Sequence, residues 1–386
     1  MSTRSKLLEA QMAKRDEFYT LLVDIEKELK HYREQFKDKI VFCNCDDPYE
    51  SNFFKYFAMN FNHLGLKKLI CTCYDDSPIA YEQVSFFEDM KQVRYDLLGR
   101  HAYKIEITEV DDYNNDGAVD LGDVKYLLKN KNNAFSLLKG NGDFRSEECV
   151  ELLKECDIVV TNPPFSLFRE FISQFTKYNK DFLIMGNTNA LTYKEVFKLF
   201  KDDKIRTGYT NFNVGMYFAV PDNCEKFHKV IDGKKMVRVS TSCWFTSLPV
   251  KKHNEDLVLY KKYTPELYPK YDNYDAINVN KFTDIPCDYY EEMGVPITFW
   301  DKFNPRQFEI IALGNSRENF MPNKDYINPV KHTKDGKCLN GGAINCVLTL
   351  STDQCPVGQV YYTSDNSGYL LPPYARVLIR RKADEN

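Results

Sequence analysis

No apolar run in this 386-residue chain is long enough to cross a bilayer, which excludes a helical membrane span as its organising feature. No apolar signal core follows the N-terminus either. Met1-Ser-Thr-Arg-Ser-Lys6 leads into charged, helix-like sequence, so no secretory signal is expected, and the expected location is the cytoplasm. Twelve cysteines are too sparse for a disulfide scaffold and are expected as reduced thiols. The chain shows neither an internal repeat nor a low-complexity tract. It also lacks an excess of positive charge: the formal net charge is −4. A nucleic-acid partner would therefore have to be met by local basic surfaces. What the chain does have is ample core material, including 27 Phe and 26 Tyr.

That material alternates. Residues 4–38 read as helix, with Leu7, Leu8, Met12, Phe18, Leu21, Leu22, Ile25 and Leu29 at roughly helical spacing. Lys39-Ile-Val-Phe-Cys-Asn-Cys45 reads as a strand. Ser51 or Asn52 is placed to cap a helix carrying Phe53, Phe54, Phe57 and Phe61, which Gly65 ends. Lys68-Leu-Ile-Cys-Thr-Cys-Tyr74 reads as the next strand. Helix 147–155, strand 157–161, helix 166–177, strand 181–186 and helix 192–201 continue the alternation, which predicts a doubly wound α/β domain. From about 205 the character changes to short β-like runs (214–220, 236–248, 295–299, 308–313, 347–350, 375–379) between long polar connectors. The expected division is a helical segment 1–38, a catalytic core 39–204 with an insertion at 108–130, and a β-rich, irregular region 205–386.

The most informative stretch is Asp157-Ile-Val-Val-Thr-Asn-Pro-Pro-Phe165. It is a strand halted by two prolines that can continue neither helix nor ladder. The turn offers the Asn162 side-chain oxygen and the Pro163 carbonyl as acceptors and Phe165 as a stacking face, with Pro164 stiffening the corner. Those groups suit a flat base bearing an exocyclic amine. Asn-Pro-Pro-Phe after an apolar strand resembles the catalytic motif of the amino-methyltransferases that modify adenine in DNA.

Open parallel sheets bind ligands at the carboxyl ends of their strands. Asp46 and Asp47 follow the first strand, Asp75 the second, and Asp143-Phe144 precedes the helix that leads to Asn162. A carboxylate after the first strand can take an α-amino group, and one after the second can accept from ribose hydroxyls. Asp143 beside Phe144 can accept from an adenine amine while the ring is sandwiched. Each aspartate alone is as well explained as a turn or cap residue.

Together with Cys43-Asn-Cys-Asp-Asp-Pro-Tyr-Glu-Ser-Asn-Phe53, Asp76-Ser-Pro-Ile-Ala-Tyr81, Gly142-Asp-Phe-Arg-Ser146, Thr161-Asn-Pro-Pro-Phe-Ser-Leu-Phe-Arg169, Gly186-Asn-Thr-Asn-Ala190, Pro296-Ile-Thr-Phe-Trp-Asp-Lys-Phe-Asn-Pro305 and Tyr374-Ala-Arg-Val-Leu-Ile-Arg-Arg-Lys382, these residues resemble the EcoRI family of adenine-specific DNA methyltransferases. The resemblance runs from the first helix to the C-terminus. It implies a Rossmann-like methyltransferase sheet with a C-terminal recognition region, and methyl transfer from S-adenosylmethionine to N6 of an adenine flipped out of double-stranded DNA. It also implies a cognate restriction endonuclease as a companion. Under it Asn162, Pro163, Pro164 and Phe165 are catalytic, and Asn44, Asp46, Asp47, Ser51, Asn52, Asp75, Asp143, Phe144 and Asn162 contact the cofactor. The loop after the first strand departs from methyltransferases at large in having no glycine. Methylation of RNA or of a protein amide, or a catalytically silent nucleic-acid-binding module, are the alternatives.

Three other patterns stand apart. Asp112, Asn114, Asp116, Asp120 and Asp123 fall at positions 1, 3, 5, 9 and 12 of a calcium-loop register, with Gly117 at position 6. That makes a candidate calcium site, though Asp replaces the usual closing Glu. Cys43, Cys45, Cys71 and Cys73 could be imagined as a zinc site, but spacing of two on buried strands fits small apolar residues better. Candidate DNA contacts are Lys226, Lys229, Lys234, Lys235 and Arg238; Lys251 and Lys252; Lys324, Lys331 and Lys334; and Arg376, Arg380 and Arg381.

Overall fold

Parallel strands covered on both faces read as unbroken apolar runs, and four such runs form the middle of the largest sheet. They are β1 (Ile40–Cys43), β2 (Lys68–Cys73), β5 (Ile158–Thr161) and β6 (Asp181–Asn187). Around them are β3 (Tyr103–Ile107), β4 (Phe135–Leu137), β7 (Arg206–Thr207) and β8 (Ser242–Thr246). The order is β4-β3-β2-β1-β5-β6-β8-β7. β1 pairs in parallel with β2 and β5, and β5 with β6, while β3, β4, β8 and β7 join antiparallel. The protein is thus mixed α/β, with a parallel centre and antiparallel flanks. In this computed structural model the described residues are 19–44, 46–47, 51–74, 102–130, 135–210, 212–220, 227–231, 233–315 and 320–383.

β3 and β4 fall in the stretch that the alternation left without strands. The signal for β3 is nevertheless there: Tyr-Lys-Ile-Glu-Ile alternates, and Tyr103, Ile105 and Ile107 are buried while Lys104 and Glu106 are not. The longer helices follow the expected pattern: α4 (Glu147–Glu155) has the expected bounds, α1 (Leu22–Leu29), α2 (Asn52–Met59), α5 (Phe168–Lys177) and α6 (Lys194–Lys201) are shorter, and α3 (Leu121–Asn130) is longer than the helix expected at 124–129 after the calcium-register loop. In α5 the apolar stripe Phe168, Phe171, Ile172 and Phe175 is buried as its spacing requires. Of the expected N-terminal helix, residues 4–18 lie outside the described residues. Glu28, buried on α1, fixes the rest: its carboxylate accepts from the Tyr32 hydroxyl, the Tyr209 and Thr210 amides and the Thr210 hydroxyl at 2.6–2.9 Å. A buried carboxylate with four donors costs little to keep in the interior.

By internal packing the chain divides into two units, residues 1–190 with 205–249 and residues 191–204 with 250–386. The first also holds a small antiparallel sheet in the order Tyr19–Thr20, Met216–Ala219, Lys234–Val239, Lys229–Ile231. The second holds a four-stranded sheet (Ile277–Asn278, Met293–Pro296, Arg376–Arg381, Phe308–Leu313) and a five-stranded one built from residues 330–371. Its core includes Trp300, packed by Phe197, Phe200 and Phe303. Among the described residues no helix is long and apolar enough to cross a membrane.

Candidate active site at the strand tips

The chain leaves β1 to build β2 on one side and later returns to place β5 on the other. The carboxyl ends of β1 and β5 therefore flank a topological switch point, where open α/β sheets form their crevices. Thr161, the last residue of β5, donates its hydroxyl to the Asn44 carbonyl at 2.7 Å and ties the two tips together. Beyond it Pro163 is buried, while Asn162, Pro164 and Phe165 are partly exposed. Neither proline has an N–H to extend the ladder. Phe165–Leu167 makes one 3₁₀ turn, closed by the Leu167 amide on the Pro164 carbonyl at 2.9 Å, and α5 begins at buried Phe168. Gly186 near the end of β6 makes this docking sterically feasible. A Cβ there would lie 2.4 Å from the Phe168 ring and 2.9 Å from that of Phe245. The four-residue corner is thus anchored at both ends and partly open between them.

The tip of β1 is arranged differently. Asn44 is fully buried, and its side-chain oxygen lies 3.4 Å from the Thr72 hydroxyl. The Asp46 carbonyl receives the Cys71 thiol, and its carboxylate accepts the Ser51 hydroxyl at 2.9 Å. Asp47 is buried; its carboxylate accepts from the Tyr103 hydroxyl at 2.7 Å and the Cys73 thiol at 3.4 Å. Ser51 caps α2, its oxygen accepting from the Phe53 and Phe54 amides. Asn52 donates to the Thr20 carbonyl at 2.8 Å. Burial first, then Cys43 and the Asp46 and Asp47 carboxylates, hold the Cys71 thiol well above its ordinary range. Cys43, Cys71 and Cys73 are buried and in no disulfide; Cys45 lies outside the described residues.

Asp143 reaches the same edge through Gly142. That glycine has φ +78°, and a Cβ on it would stand 2.3 Å from the Cys73 carbonyl at the end of β2, so only glycine allows the approach. The Asp143 carboxylate is held by Arg145, through Nε at 2.9 Å and Nη2 at 2.7 Å, and Arg145 also reaches Glu170 at 2.9 Å. Phe144 points inward: it is buried and stacks on Phe171 with centroids 3.9 Å apart. Asp75 lies outside the described residues. Thr161, Arg145, Gly142 and Gly186 stand in the motifs quoted from the sequence, but sequence reasoning gave them no role of their own, and it missed Tyr103 altogether.

Nothing in the structure supports the calcium-register loop as an ion site, and its oxygens meet amides of the loop itself. Asp112 accepts the Asp116 and Gly117 amides, Asn114 the Asp116 amide, and Asp116 the Ala118 amide. Asp120 accepts from Gly122, and Asp123 from Tyr113 and Asp120. The Asp120 amide, in first place, holds the Asp123 carboxyl below its ordinary range. The five side chains serve their own loop's amides. Among the described residues no group of three or more His, Cys, Asp or Glu is gathered that could hold a metal ion.

Comparison with known proteins gives a family. The model described as adenine-specific methyltransferase EcoRI matches residues 6–382. The Type II methyltransferase M.EcoRI of Escherichia coli is 48% identical over 317 residues, 80% of this chain and 89% of that protein. The Type II methyltransferases M.MgeORF184P of Mycoplasma genitalium and M.MpnI of Mycoplasma pneumoniae are each 37% identical over 310 residues, 78% of this chain and 84% and 83% of theirs. No solved structure matches.

Proposed function

The chain belongs to the EcoRI family of adenine-specific methyltransferases, and from that premise we propose that it methylates N6 of a specific adenine in double-stranded DNA, using S-adenosylmethionine. The observation that carries this reading is the partly exposed Asn162-Pro163-Pro164-Phe165 corner at the switch point, tied to the tip of β1.

An adenine stacked in a duplex is out of reach, so it must swing into the crevice. There the Asn162 side-chain oxygen and the Pro163 carbonyl accept the two N6 hydrogens and direct the nitrogen lone pair. Phe165 stacks on the base, a contact worth ~1–3 kcal/mol. S-adenosylmethionine, when bound, supplies a methyl group already activated on a sulfonium. Holding N6 in line with it accounts for most of the acceleration.

The donor set fits the cofactor in part. Asp46 suits an α-amino group and Asp143 an adenine amine, both being acceptors at the right edge. Asp47, Ser51, Asn52 and Phe144 already serve the scaffold and would act by shaping the loop. In this reading the sheet is a doubly wound, Rossmann-like methyltransferase sheet. Residues 39–204 are its catalytic core, and the β-rich region 205–386 completes it and contributes target recognition. A restriction endonuclease cutting the same site is the companion expected of a Type II enzyme.

The test is transfer of a labelled methyl group, with duplex DNA, RNA and protein offered side by side and the product mapped. N6-methyladenine at one sequence context in DNA is the expected result. Label confined to RNA or protein would overturn it.

A further inference from the structure

The small antiparallel sheet of the first unit carries a charge pattern that the chain as a whole does not. Lys229-Val-Ile-Asp-Gly-Lys-Lys-Met-Val-Arg238 holds four cations to one carboxylate in a protein of net charge −4. Strand register decides which side chains share a face. Lys229 is paired with Met236, Ile231 with Lys234, and Arg238 with Tyr217. Lys229, Lys234 and Arg238 therefore project from one face together with the Tyr217 ring, and Lys229 Nζ stands 3.9 Å over that ring. All three cations are exposed, and among the described residues no carboxylate pairs with any of them. Many of the other candidate cations are engaged within the second unit. Lys252 pairs with Asp301, Lys324 with Asp272, and Arg380 with Glu292 and Glu309; Arg376 is buried against Asn278.

Two connections bring this sheet to the edge of the large sheet that carries Asn162. Its strand Lys234–Val239 runs through Ser240 and Thr241 directly into β8, whose first residue pairs with Asn187 at the tip of β6. There Thr241 accepts the Asn187 side-chain amide at 2.7 Å and its carbonyl takes the Thr188 amide at 2.5 Å. Its edge strand Tyr19–Thr20 is held by Asn52 at the start of α2. An exposed basic face with an aromatic among the lysines, rooted at that edge, has the chemistry that binds a phosphate backbone without reading sequence.

We propose that the sheet face bearing Lys229, Lys234, Arg238 and Tyr217 grips the phosphates of the duplex next to the flipped adenine. This rests on the DNA-methyltransferase reading and adds to it the surface that supplies affinity.

The test is binding of the full chain to a fluorescent duplex across a salt series, for wild type, Lys229→Gln/Lys234→Gln, Lys229→Arg/Lys234→Arg and, as an equal loss of charge elsewhere, Lys37→Gln/Lys67→Gln, two exposed lysines just before the amino ends of β1 and β2. For the hairpin Gln pair, the slope of log K against log salt is expected to become shallower by about 1 per lysine, uniformly across DNA sequences. The KM for DNA is expected to rise while kcat at saturating DNA holds. The Arg pair is expected to keep the wild-type slope, and so is the Lys37/Lys67 pair. An unchanged slope in the hairpin Gln pair, a lost slope in the Arg pair, or an equal loss in the Lys37/Lys67 pair would overturn the proposal. Failure of the underlying reading looks different, because the wild type would then transfer no methyl group to DNA at any salt.

Discussion

The tips of β1 and β5 are built from similar residues, an asparagine leading into a turn, yet they behave as opposites. Asn44 is sealed inside and Asp47 is held by Tyr103 and Cys73, while Ser51 closes the helix that follows. After Asn162 the backbone is poor in donors. Pro163 and Pro164 have no amide hydrogens, so no backbone donor projects from the corner until Phe165. The difference teaches where a scaffold ends and a working surface begins. Residues rich in donors and acceptors are drawn into the fold's own hydrogen bonds, and a corner stiffened by two prolines holds its shape with few donors of its own.

The largest effect expected from this contrast is at Asn162. Asn162→Ala removes an acceptor whose value is realised at the reacting nitrogen, so methyl transfer should fall by about 10²–10³-fold or more, the loss seen when one fixed polar group is taken from a transition state. Cofactor affinity measured by calorimetry should stay nearly the same; undiminished turnover would mean that the amide has no such role. Next come the two aspartates of the β1 tip, which should separate. Asp46→Ala should weaken cofactor binding by about 10–100-fold, the scale of one charged hydrogen bond, with little change in melting. Asp47→Ala should instead cost about 1–3 kcal/mol of stability in denaturant titration, because it strands the buried Tyr103 hydroxyl. If both variants lose only affinity, the division between scaffold and working residues at this tip is wrong.

Much of this division was legible in the sequence, and the reason is physical. A strand buried on both faces leaves an apolar run that cannot be mistaken for surface, so β1, β2, β5 and β6 stood out, and two prolines announced the corner after β5. The antiparallel flank did not. β3 alternates clearly, but it follows residues 75–101, where no periodic pattern pointed to a sheet. Phe144 was expected against a ligand because it adjoins Asp143, but adjacency in sequence does not fix a ring's direction. Once α5 brought Phe171 alongside, burial against it was the better use of an apolar ring. Nor does sequence separate free lysines from paired ones. Lys234 and Lys324 look alike until the fold brings Asp272 to one of them.

Smaller effects sharpen the same contrast. Ser51→Ala removes the cap of α2 and should cost about 1 kcal/mol with methyl transfer at saturating substrates nearly unchanged. A large loss of kcat instead would move Ser51 from scaffold to active site. The smallest effect concerns the turn at residues 112–123, which is richer in oxygen donors than either strand tip. Its carboxylates already accept the loop's own amides, so it belongs with the scaffold. A ligand that binds only the folded state must raise its stability by an amount set by its concentration over Kd. Calcium at millimolar concentration, or a chelator, should therefore leave the melting temperature where it is. A calcium-dependent rise that Asp112→Ala abolishes would show that the turn trades its internal bonds for an ion, and that donor-rich loops of this fold are less committed than the tip of β1 suggests.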